Sequence, residues 1–292
     1  MLNGFNLLII GGDDRYVEVI HQLENVGVNI QISGFEKLTT STNAVYKNDL
    51  SEVDFKSLDA ILLPVSGTND EGKVELAPFS DNQLFLTQKL VKKTPDYCTI
   101  YTGISSTYLD QLSDRTNRKL VRLFKRDDMA ILNSIPTAEG TLEIAMKETE
   151  TMIHGSRVLV LGFGRVGLTI ARLFSVVGAH VSVGTRNSAD LARCSEMQLS
   201  SVKLEKLHDE IRNYDIIINT IPHQVIDSHI LSVVEDSTLI IDLASAPGGV
   251  DFETAKKKGI KAIHALGLPG KVAPVSAGKI IADVLFELLK DQ

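Results

Sequence analysis

Residues 158–174 read VLVLGFGRVGLTIARLF, an apolar run that meets a glycine-rich turn and continues as an amphipathic helical pattern. In a G-x-G-x-x-G turn each glycine has a physical reason. Gly162 permits the tight strand-to-helix turn, Gly164 lets a pyrophosphate approach the backbone, and Gly167 lets the helix pack closely on the strand. A second apolar run at 180–183 completes a β-α-β unit of about 30 residues. The sequence therefore predicts a Rossmann-type dinucleotide site.

The phosphates of the dinucleotide are expected on the free N–H groups and the positive dipole end of the helix. The predicted phosphate-binding residues are Gly162, Phe163, Gly164, Arg165, Val166 and Gly167.

The end of the second strand indicates which dinucleotide binds. NAD-binding units carry an Asp or Glu there, which accepts hydrogen bonds from the ribose 2′-OH. This chain has Thr185, Arg186 and Asn187 at that place, and no carboxylate before Asp190. A guanidinium suits a 2′-phosphate through charge-assisted hydrogen bonds. The alternative is that Arg186 is an ordinary surface arginine. We predict that these three residues bind NADP(H) rather than NAD(H).

Composition narrows the class of protein. The chain has 292 residues, 43% of them hydrophobic and 23% charged, and its net charge of −7 argues against nucleic acid or an anionic membrane as the main partner. No apolar run approaches the ~20 residues of a membrane span, and the first residues lack the charged region of a signal peptide. Two cysteines provide neither a disulfide framework nor a metal cluster. We expect a cytoplasmic protein without a metal.

Alternating apolar strands and helical segments predict the fold class α/β, with two doubly wound parallel-sheet (Rossmann-like) domains joined by two long helices. The nine predicted strands are 5–10, 27–33, 59–65, 98–101, 158–161, 180–183, 215–219, 238–242 and 261–264, and 267–271 is predicted to be a loop. The expected active-site cleft lies between the domains. The predicted domains are 1–135, for the substrate, and 136–275, for NADP, with a linker helix over 136–153. Ser134 or Thr137 would cap that helix, with Glu139 in its first turn. A last helix, 276–292, is expected to pack back on the first domain.

Ligands of open parallel sheets bind at the carboxyl ends of the strands. In the first half, such ends are followed by Gly11–Arg15, Ser66–Thr68 and Thr102-Gly103. In the second half, three strand ends should flank the nicotinamide, and the predicted cofactor contacts in these loops are Thr220, Ile221, Pro222, Ala244 and Ser245. Proline and glycine at strand ends are also plain turn chemistry, so each loop alone is ambiguous.

Six motifs are spread over essentially the whole chain: IIGGDDRY, NSIPTAEGTLEIA, VLVLGFGRVG, NTIP, DLASAPGG and GLPGKVAPVSAGKII. In these motifs the chain resembles the dipicolinate synthase A family of spore-forming bacteria. The linker and the last loop are the most specific, because many dehydrogenases share the glycine turn. The resemblance implies an NAD(P)-dependent oxidoreductase acting on CH–CH or CH–NH bonds.

The resemblance also implies a substrate, a partner and a place. The substrate would be 4-hydroxy-tetrahydrodipicolinate, a lysine-pathway aldolase product, or the dihydrodipicolinate that it yields on losing water. Removal of two electrons gives dipicolinate. The implied partner is dipicolinate synthase B, a flavoprotein-like second subunit, and the implied place is the mother-cell cytoplasm during sporulation. We also expect a homo-oligomer, with a twofold dimer as the default.

A dicarboxylate substrate calls for cations and for hydroxyl or backbone N–H donors. The substrate-binding candidates are Lys271 first and Arg15 second, then Ser66, Gly67, Thr68, Thr102, Thr137, Pro269 and Gly270. The candidates for acid–base catalysis are His264, Glu139 and Lys271. His264 could equally be a core histidine and Glu139 a helix-end carboxylate, so the proton acceptor stays open.

Two other functions remain at this point. The two-lobe layout also resembles D-2-hydroxyacid dehydrogenases and alanine dehydrogenase, which act on other small carboxylic acids. The former place a substrate-binding arginine just after the strand read here as TLIID. This chain has Ala244-Ser245 there and no arginine after Arg212. Alternatively, the chain binds the cofactor only as a scaffold or regulatory component of a two-subunit enzyme.

Overall fold

The computed structural model describes residues 2–291. It divides into two compact units. Unit 1 holds the residues up to Leu132 together with those from Ala273 onward, and unit 2 is Asn133–Val272. Met1 and Gln292, which fall within the predicted domains, lie outside the described residues.

Unit 1 contains a parallel six-stranded sheet in the order β3-β2-β1-β4-β5-β6. Its strands are β1 (Asn6–Ile10), β2 (Asn29–Ser33), β3 (Val45–Lys47), β4 (Ala60–Leu62), β5 (Thr99–Thr102) and β6 (Leu120–Arg122). The helices between them are α1 (Asp14–Asn25), α2 (Gln88–Val91) and α3 (Thr107–Thr116), and α4 (Asp127–Glu148) follows the sheet and contains the boundary with unit 2. Single turns of 3-10 helix lie at Leu50–Glu52, Phe55–Ser57 and Leu123–Lys125.

Unit 2 repeats the architecture, with a parallel sheet in the order β12-β11-β10-β7-β8-β9. Its strands are β7 (Arg157–Leu161), β8 (His180–Thr185), β9 (Ser200–Lys203), β10 (Ile216–Asn219), β11 (Leu239–Asp242) and β12 (Lys261–His264). Its further helices are α5 (Arg165–Val176), α6 (Ser188–Glu196), α7 (Leu207–Glu210), α8 (Ser228–Leu231), α9 (Phe252–Lys257) and α10 (Leu268–Val272), with 3-10 turns at Leu204–Lys206 and Ile211–Asn213. The last helix is α11 (Pro274–Lys290). The predicted fold class, with two doubly wound parallel sheets, is confirmed.

The central strands β1, β4, β7, β10 and β11 are largely apolar because each sheet is covered on both faces. In β1, Leu7 and Ile9 belong to one core cluster and Leu8 and Ile10 to another. The same alternation divides the residues of β7 between two clusters in unit 2. Successive side chains of a strand point to opposite faces, so one continuous apolar run supplies both cores.

Helix α4 corrects the predicted linker helix of 136–153. It begins at Asp127, because two aspartates in its first turn suit the positive end of the helix, and it continues through Pro136 to Glu148. Ser134 and Thr137 therefore do not cap it. Ser134 Oγ lies 2.7 Å from Thr169 Oγ1, and Thr137 Oγ1 donates to the carbonyl of Asn133 (2.8 Å). Glu139 is likewise not in a first turn.

Two further predictions need correction. The segment 267–271, expected as a loop, is mostly the short helix α10, which packs against α4 at Gly140, where a Cβ would lie 3.1 Å from a Val272 methyl carbon. The predicted strand 59–65 ends at Leu62, because Pro64 lacks an N–H for the ladder.

Helix α11 packs along α1 within unit 1. A Cβ on Gly278 would lie 2.3 Å from the carbonyl oxygen of Arg15, so the absence of a side chain allows the close approach.

Candidate functional site

The glycine turn after β7 is built by close contacts. Gly162 has a φ of +92°, and a Cβ there would lie 2.5 Å from Thr220 Oγ1. A Cβ on Gly167 would lie 2.1 Å from the carbonyl oxygen of Gly162. By contrast, a Cβ on Gly164 would meet nothing within 4 Å. The first and third glycines are therefore required by the chain itself, whereas the space above the second is open to a ligand.

The N-terminus of α5 has no side-chain cap. Gly164 is the N-cap in an extended conformation, and no acidic residue lies in the first turn, which starts with Arg165. N–H groups at a helix start need an acceptor, and together with the helix dipole they form an anion site. Phe163 is buried and Val166 half-buried, so both support the turn from below. The turn fits the pyrophosphate of a dinucleotide.

The end of β8 lies next to this turn, since Gly162 N donates to the carbonyl of Gly184 (2.9 Å). Thr185 Oγ1 donates to Asp190 Oδ2 (2.9 Å), and Asn187 caps α6 by accepting from Ala189 N. Both side chains thus hold the local structure. The fold brings the carboxylate of Asp190 back to the strand end, although it lies five residues after Thr185.

Arg186 is exposed, and no hydrogen bond or ion pair among residues 2–291 holds its guanidinium. Arg186 is therefore the cation at this strand end that is available to bind a ligand.

The strands β10, β11 and β12 end in the same register, with Asn219 beside Asp242 and Asp242 beside His264. The loops that follow contain the predicted nicotinamide contacts. Thr220 and Ile221 adjoin Gly162, Pro222 and Ser245 are exposed, and Ala244 is buried. The structure thus brings all the predicted cofactor residues to the carboxyl edge of the unit 2 sheet.

Asn219 and Asp242, the first residues of the NTIP and DLASAPGG motifs, form a buried polar pair that was not among the predicted site residues. Both side chains are fully buried, and Asn219 Nδ2 donates to Asp242 Oδ1 (2.8 Å). Asp242 also accepts from the backbone N–H groups of Ala244 (3.1 Å) and Gly249 (2.8 Å). The signal that could have found them is a polar residue that closes each of two otherwise apolar strands.

His264 and Lys271 follow at the end of β12. His264 is exposed, its Nε2 lies 3.1 Å from the carbonyl oxygen of Ala244, and its ring contacts that of Phe252. A carbonyl oxygen can only accept, so Nε2 carries the hydrogen and Nδ1 keeps its lone pair in the neutral ring. Lys271 lies exposed in the last turn of α10, whereas Pro269 is buried and Gly270 half-buried.

The other two candidates of unit 2 lie on α4. Glu139 is exposed in the middle of the helix, and the hydroxyl of Thr137 is bound to the carbonyl of Asn133. Neither belongs to the row of strand ends formed by β7, β8, β10, β11 and β12.

In unit 1, Ser66, Gly67 and Thr68 line a cavity of about 550 Å³. Lys73 and Ser80 are among the other residues that line it. The hydroxyl of Thr68 lies 3.1 Å from that of Ser106, while Ser66 is exposed. The cavity offers a polar ligand hydroxyl groups and one ammonium group, but Glu75 and Asp81 also place two carboxylates in its lining.

Arg15 and Thr102 do not line this cavity. Arg15 is 8% exposed, and its Nε donates to Asp13 Oδ1 (2.9 Å). Burial opposes its charge, but the hydrogen bond and the charge of Asp13 outweigh that effect and raise the pKa of Arg15. Thr102 is fully buried and donates to the carbonyls of Pro64 and Ile104. Both side chains already have partners within unit 1.

Across residues 2–291, no helix has the length and apolar character needed to cross a membrane. In the same part of the chain, no group of three or more His, Cys, Asp or Glu side chains is arranged to hold a metal ion.

Comparisons with known proteins agree with this geometry. Residues 6–124 match the family of the N-terminal domain of dipicolinate synthase A. Residues 134–249 match the D-isomer specific 2-hydroxyacid dehydrogenase, NAD binding domain. The chain is 47% identical over 291 residues to dipicolinate synthase A of Bacillus subtilis strain 168, and the match covers all of this chain and 98% of that protein.

Solved structures give the same result. The crystal structure of dipicolinate synthase A from Bacillus halodurans superposes with a TM-score of 0.96 at 48% identity, and the match covers 99% of both chains. A transhydrogenase from Sinorhizobium meliloti, at 14% identity, superposes with a TM-score of 0.68 over 98% of this chain and 93% of its own, and shows the fold alone.

The glycine turn after β7, together with the match of residues 134–249 to an NAD binding domain, defines an NAD(P)-dependent oxidoreductase with a nicotinamide dinucleotide cofactor. More specifically, the chain belongs to the dipicolinate synthase A family. Both the predicted family and the predicted class of enzyme are confirmed.

Proposed function

We propose that this chain oxidises dihydrodipicolinate to dipicolinate with NADP⁺, as the dehydrogenase component of dipicolinate synthase in sporulation. The substrate would form from 4-hydroxy-tetrahydrodipicolinate by loss of water. The observation that carries the proposal is the uncapped start of α5 beneath the open space at Gly164, in a chain 47% identical to a dipicolinate synthase A.

NADP⁺, when bound, accepts the hydride that leaves the substrate ring. The backbone N–H groups at the start of α5 would hold its pyrophosphate. Arg186 would bind the 2′-phosphate through charge-assisted hydrogen bonds, since its guanidinium is exposed and otherwise unbound in the described chain.

The two carboxylates of the substrate require donors. We assign one carboxylate to Lys271, whose ammonium group is exposed at the end of α10 with Gly270 and Pro269 before it. Within unit 1, Ser66, Gly67 and Thr68 stay the candidate hydroxyl and backbone donors, at a cavity that also contains the carboxylates of Glu75 and Asp81. Arg15, Thr102 and Thr137 contribute less, because each already donates to a neighbour in its own unit.

Among the three acid–base candidates, His264 has the best-defined chemistry. Its Nε2–H is held by the carbonyl of Ala244, so Nδ1 is the nitrogen that can take up a proton. Glu139 lies in the middle of α4, away from the strand ends. We therefore propose that His264 accepts the proton that accompanies hydride loss.

The family likeness also supports an assembly. We propose that the chain works in the mother-cell cytoplasm with the flavoprotein-like dipicolinate synthase B, and that it forms a homodimer, the default symmetry of homo-oligomers.

The first test is NADPH formation by the purified chain, alone and with dipicolinate synthase B. A tetrahydrodipicolinate-forming aldolase would generate the substrate in situ, and dipicolinate would be measured alongside NADPH. Stoichiometric NADPH and dipicolinate from the chain alone are expected. Turnover only with the second protein would make the complex the catalytic unit. Binding of NADP⁺ without turnover in either case would refute the proposed substrate, and faster turnover with NAD⁺ would refute the NADP assignment.

A further inference from the structure

We propose that Asp242 is a positioning residue for the nicotinamide half of the cofactor, acting with Asn219 through the main chain that follows β11. The proposal rests on the cofactor site proposed above. It concerns residues that do not touch the phosphates and that lie below the ligand-facing surface.

The first observation is the buried charge itself. Asp242 is fully buried at the end of a strand whose other residues are Leu239, Ile240 and Ile241. Burial of a carboxylate is costly unless hydrogen bonds compensate it. Its donors within residues 2–291 are N–H groups, namely Asn219 Nδ2 and the backbone of Ala244 and Gly249. The carboxylate therefore organises main chain rather than neutralising a cation.

Two glycines show how closely the following loop is fitted to this pair. A Cβ on Gly249 would lie 2.0 Å from Asn219 Nδ2, and a Cβ on Gly248, whose φ is +87°, would lie 3.0 Å from Asp242 Oδ2. Any larger residue would push the loop away from the carboxylate. The glycines of DLASAPGG thus serve the Asn219–Asp242 pair rather than a phosphate.

The same pair connects three strand-end loops. Asn219 Oδ1 accepts from Ile221 N (3.1 Å), which fixes the loop after β10. Gly249 O accepts from Ile226 N (2.9 Å), which joins that loop to the one after β11. Ala244 donates its N–H to Asp242 and accepts from His264 Nε2, which adds the end of β12.

These loops lie on one side of β7, and β8 with its Arg186 lies on the other. In a doubly wound sheet the dinucleotide runs across the point where the strand order reverses, so its two halves contact opposite sides. The Asn219–Asp242 pair therefore orders the side that receives the nicotinamide and leaves the adenosine side untouched.

The test measures two dissociation constants for the full chain, one for NADPH and one for adenosine 2′,5′-bisphosphate, which lacks the nicotinamide half. In Asp242→Asn, one oxygen becomes an NH₂ group that cannot accept from Gly249 N. We expect NADPH to bind about tenfold more weakly, equivalent to about 1.4 kcal/mol. The affinity for the bisphosphate should not change.

Thr238→Val is the matched control. Thr238 is buried immediately before β11, at the end opposite to Asp242, and its hydroxyl donates to the carbonyl of Tyr214 (3.0 Å), so the variant also loses a hydrogen bond of a buried side chain next to that strand. Both dissociation constants should stay at the wild-type values. If Asp242→Asn fails to fold, Asn219→Ser keeps the carboxylate with its backbone donors but removes the hydrogen bond from Nδ2, and it should show a selective loss of NADPH affinity of about threefold or more.

Equal weakening of both ligands would overturn the proposal, because it would show a general structural role. Unchanged NADPH binding in the folded variants would overturn it as well. Failure of the wild-type chain to bind either ligand would instead refute the cofactor site itself, and the positioning role with it.

Discussion

The two units present the same strand-glycine-helix arrangement, but it differs at one position. The first glycine is crowded in both: a Cβ on Gly11 would lie 2.5 Å from the carbonyl oxygen of Glu75, and a Cβ on Gly162 would lie 2.5 Å from Thr220 Oγ1. The difference lies at the N-cap of the helix that follows, which is Asp13 in unit 1 and Gly164, with open space above it, in unit 2. Both sheets have the same strand order, so topology alone does not create a phosphate site. The residue at the N-cap decides whether a phosphate can approach the turn.

The charges at the N-termini of α1 and α5 lead to the same conclusion. Helix α1 is capped by the carboxylate of Asp13, and Asp14 follows in its first turn. These groups already complement the helix dipole and would repel a phosphate. Helix α5 has no acidic residue in its first turn and no side-chain cap. The N-cap side chain of α1 thus accepts from the first turn of its helix, whereas the N-cap of α5 supplies no such acceptor.

Among the variants that test this difference between the two turns, we expect the largest effect from Gly167→Ala. The new methyl group would lie 2.1 Å from the carbonyl oxygen of Gly162 and force α5 away from β7. We expect a loss of about 3 kcal/mol in the free energy of unfolding, as for an overpacked core, together with loss of NADPH binding. Denaturant unfolding and a binding titration measure the two effects. A variant with wild-type stability would show that the third glycine is not needed for packing.

Gly164→Ala makes the same change three residues earlier and distinguishes an effect on stability from an effect on cofactor binding. Its methyl group enters open space, so the loss of stability should stay below about 1 kcal/mol, the difference between Gly and Ala at an N-cap. The methyl group would nevertheless occupy the approach of the pyrophosphate. NADPH affinity should fall on the order of 100-fold, about 2.7 kcal/mol. If this variant still bound NADPH tightly, the proposal that the pyrophosphate lies against Gly164 would be wrong.

Asp13→Ala probes the other turn. The change removes the cap of α1 and the partner of Arg15, which is buried, and we expect a loss of about 2 kcal/mol in the free energy of unfolding. NADPH affinity should not change, because the residue belongs to unit 1. Asp14→Ala is the control, since that exposed side chain is not the cap and should cost only about 0.5 kcal/mol. If Asp13→Ala lowered NADPH affinity, the assignment of the cofactor to unit 2 alone would be wrong.

Much of the fold was predictable because the inner strands are continuous apolar runs. The nine predicted strands are present, and the three missed ones, Val45–Lys47, Leu120–Arg122 and Ser200–Lys203, are all edge strands. An edge strand has a neighbour on one side only, so its residues are partly exposed and its sequence carries little apolar signal. Helix α4 was misplaced because Pro136 is typical of a helix start, yet here it lies inside the helix.

The site was predictable where a motif fixes backbone geometry and not where it depends on long-range contacts. The glycine turn could be read from 162–167 alone. The pairing of Asn219 with Asp242 joins residues 23 positions apart, and the partnership of Arg15 with Asp13 depends on the orientation of one side chain at the start of α1. A sequence gives the type of such residues but not which of them already have partners.

The smallest expected effect concerns the second strand of each unit. After β2, Glu36 carries a carboxylate. Burial raises its pKa, but hydrogen bonds, among them that from Asn82 Nδ2 (3.0 Å), outweigh that effect and lower it. After β8, Arg186 carries an exposed guanidinium. Arg186→Asp would make the unit 2 strand end acidic like that of unit 1, and we expect about a tenfold shift of the NADP⁺ to NAD⁺ preference toward NAD⁺, equivalent to about 1.4 kcal/mol.

The ratio of kcat/KM for the two cofactors measures this shift. Arg172→Asp is the matched control, because it makes the same change of charge at an exposed position of α5 away from the strand end. If both variants shift the preference equally, long-range charge rather than contact with the 2′-phosphate is responsible. If neither does, Asp190, which the Thr185 hydroxyl holds at the same strand end, becomes the group that selects the cofactor, and the preference should then respond to Asp190→Asn.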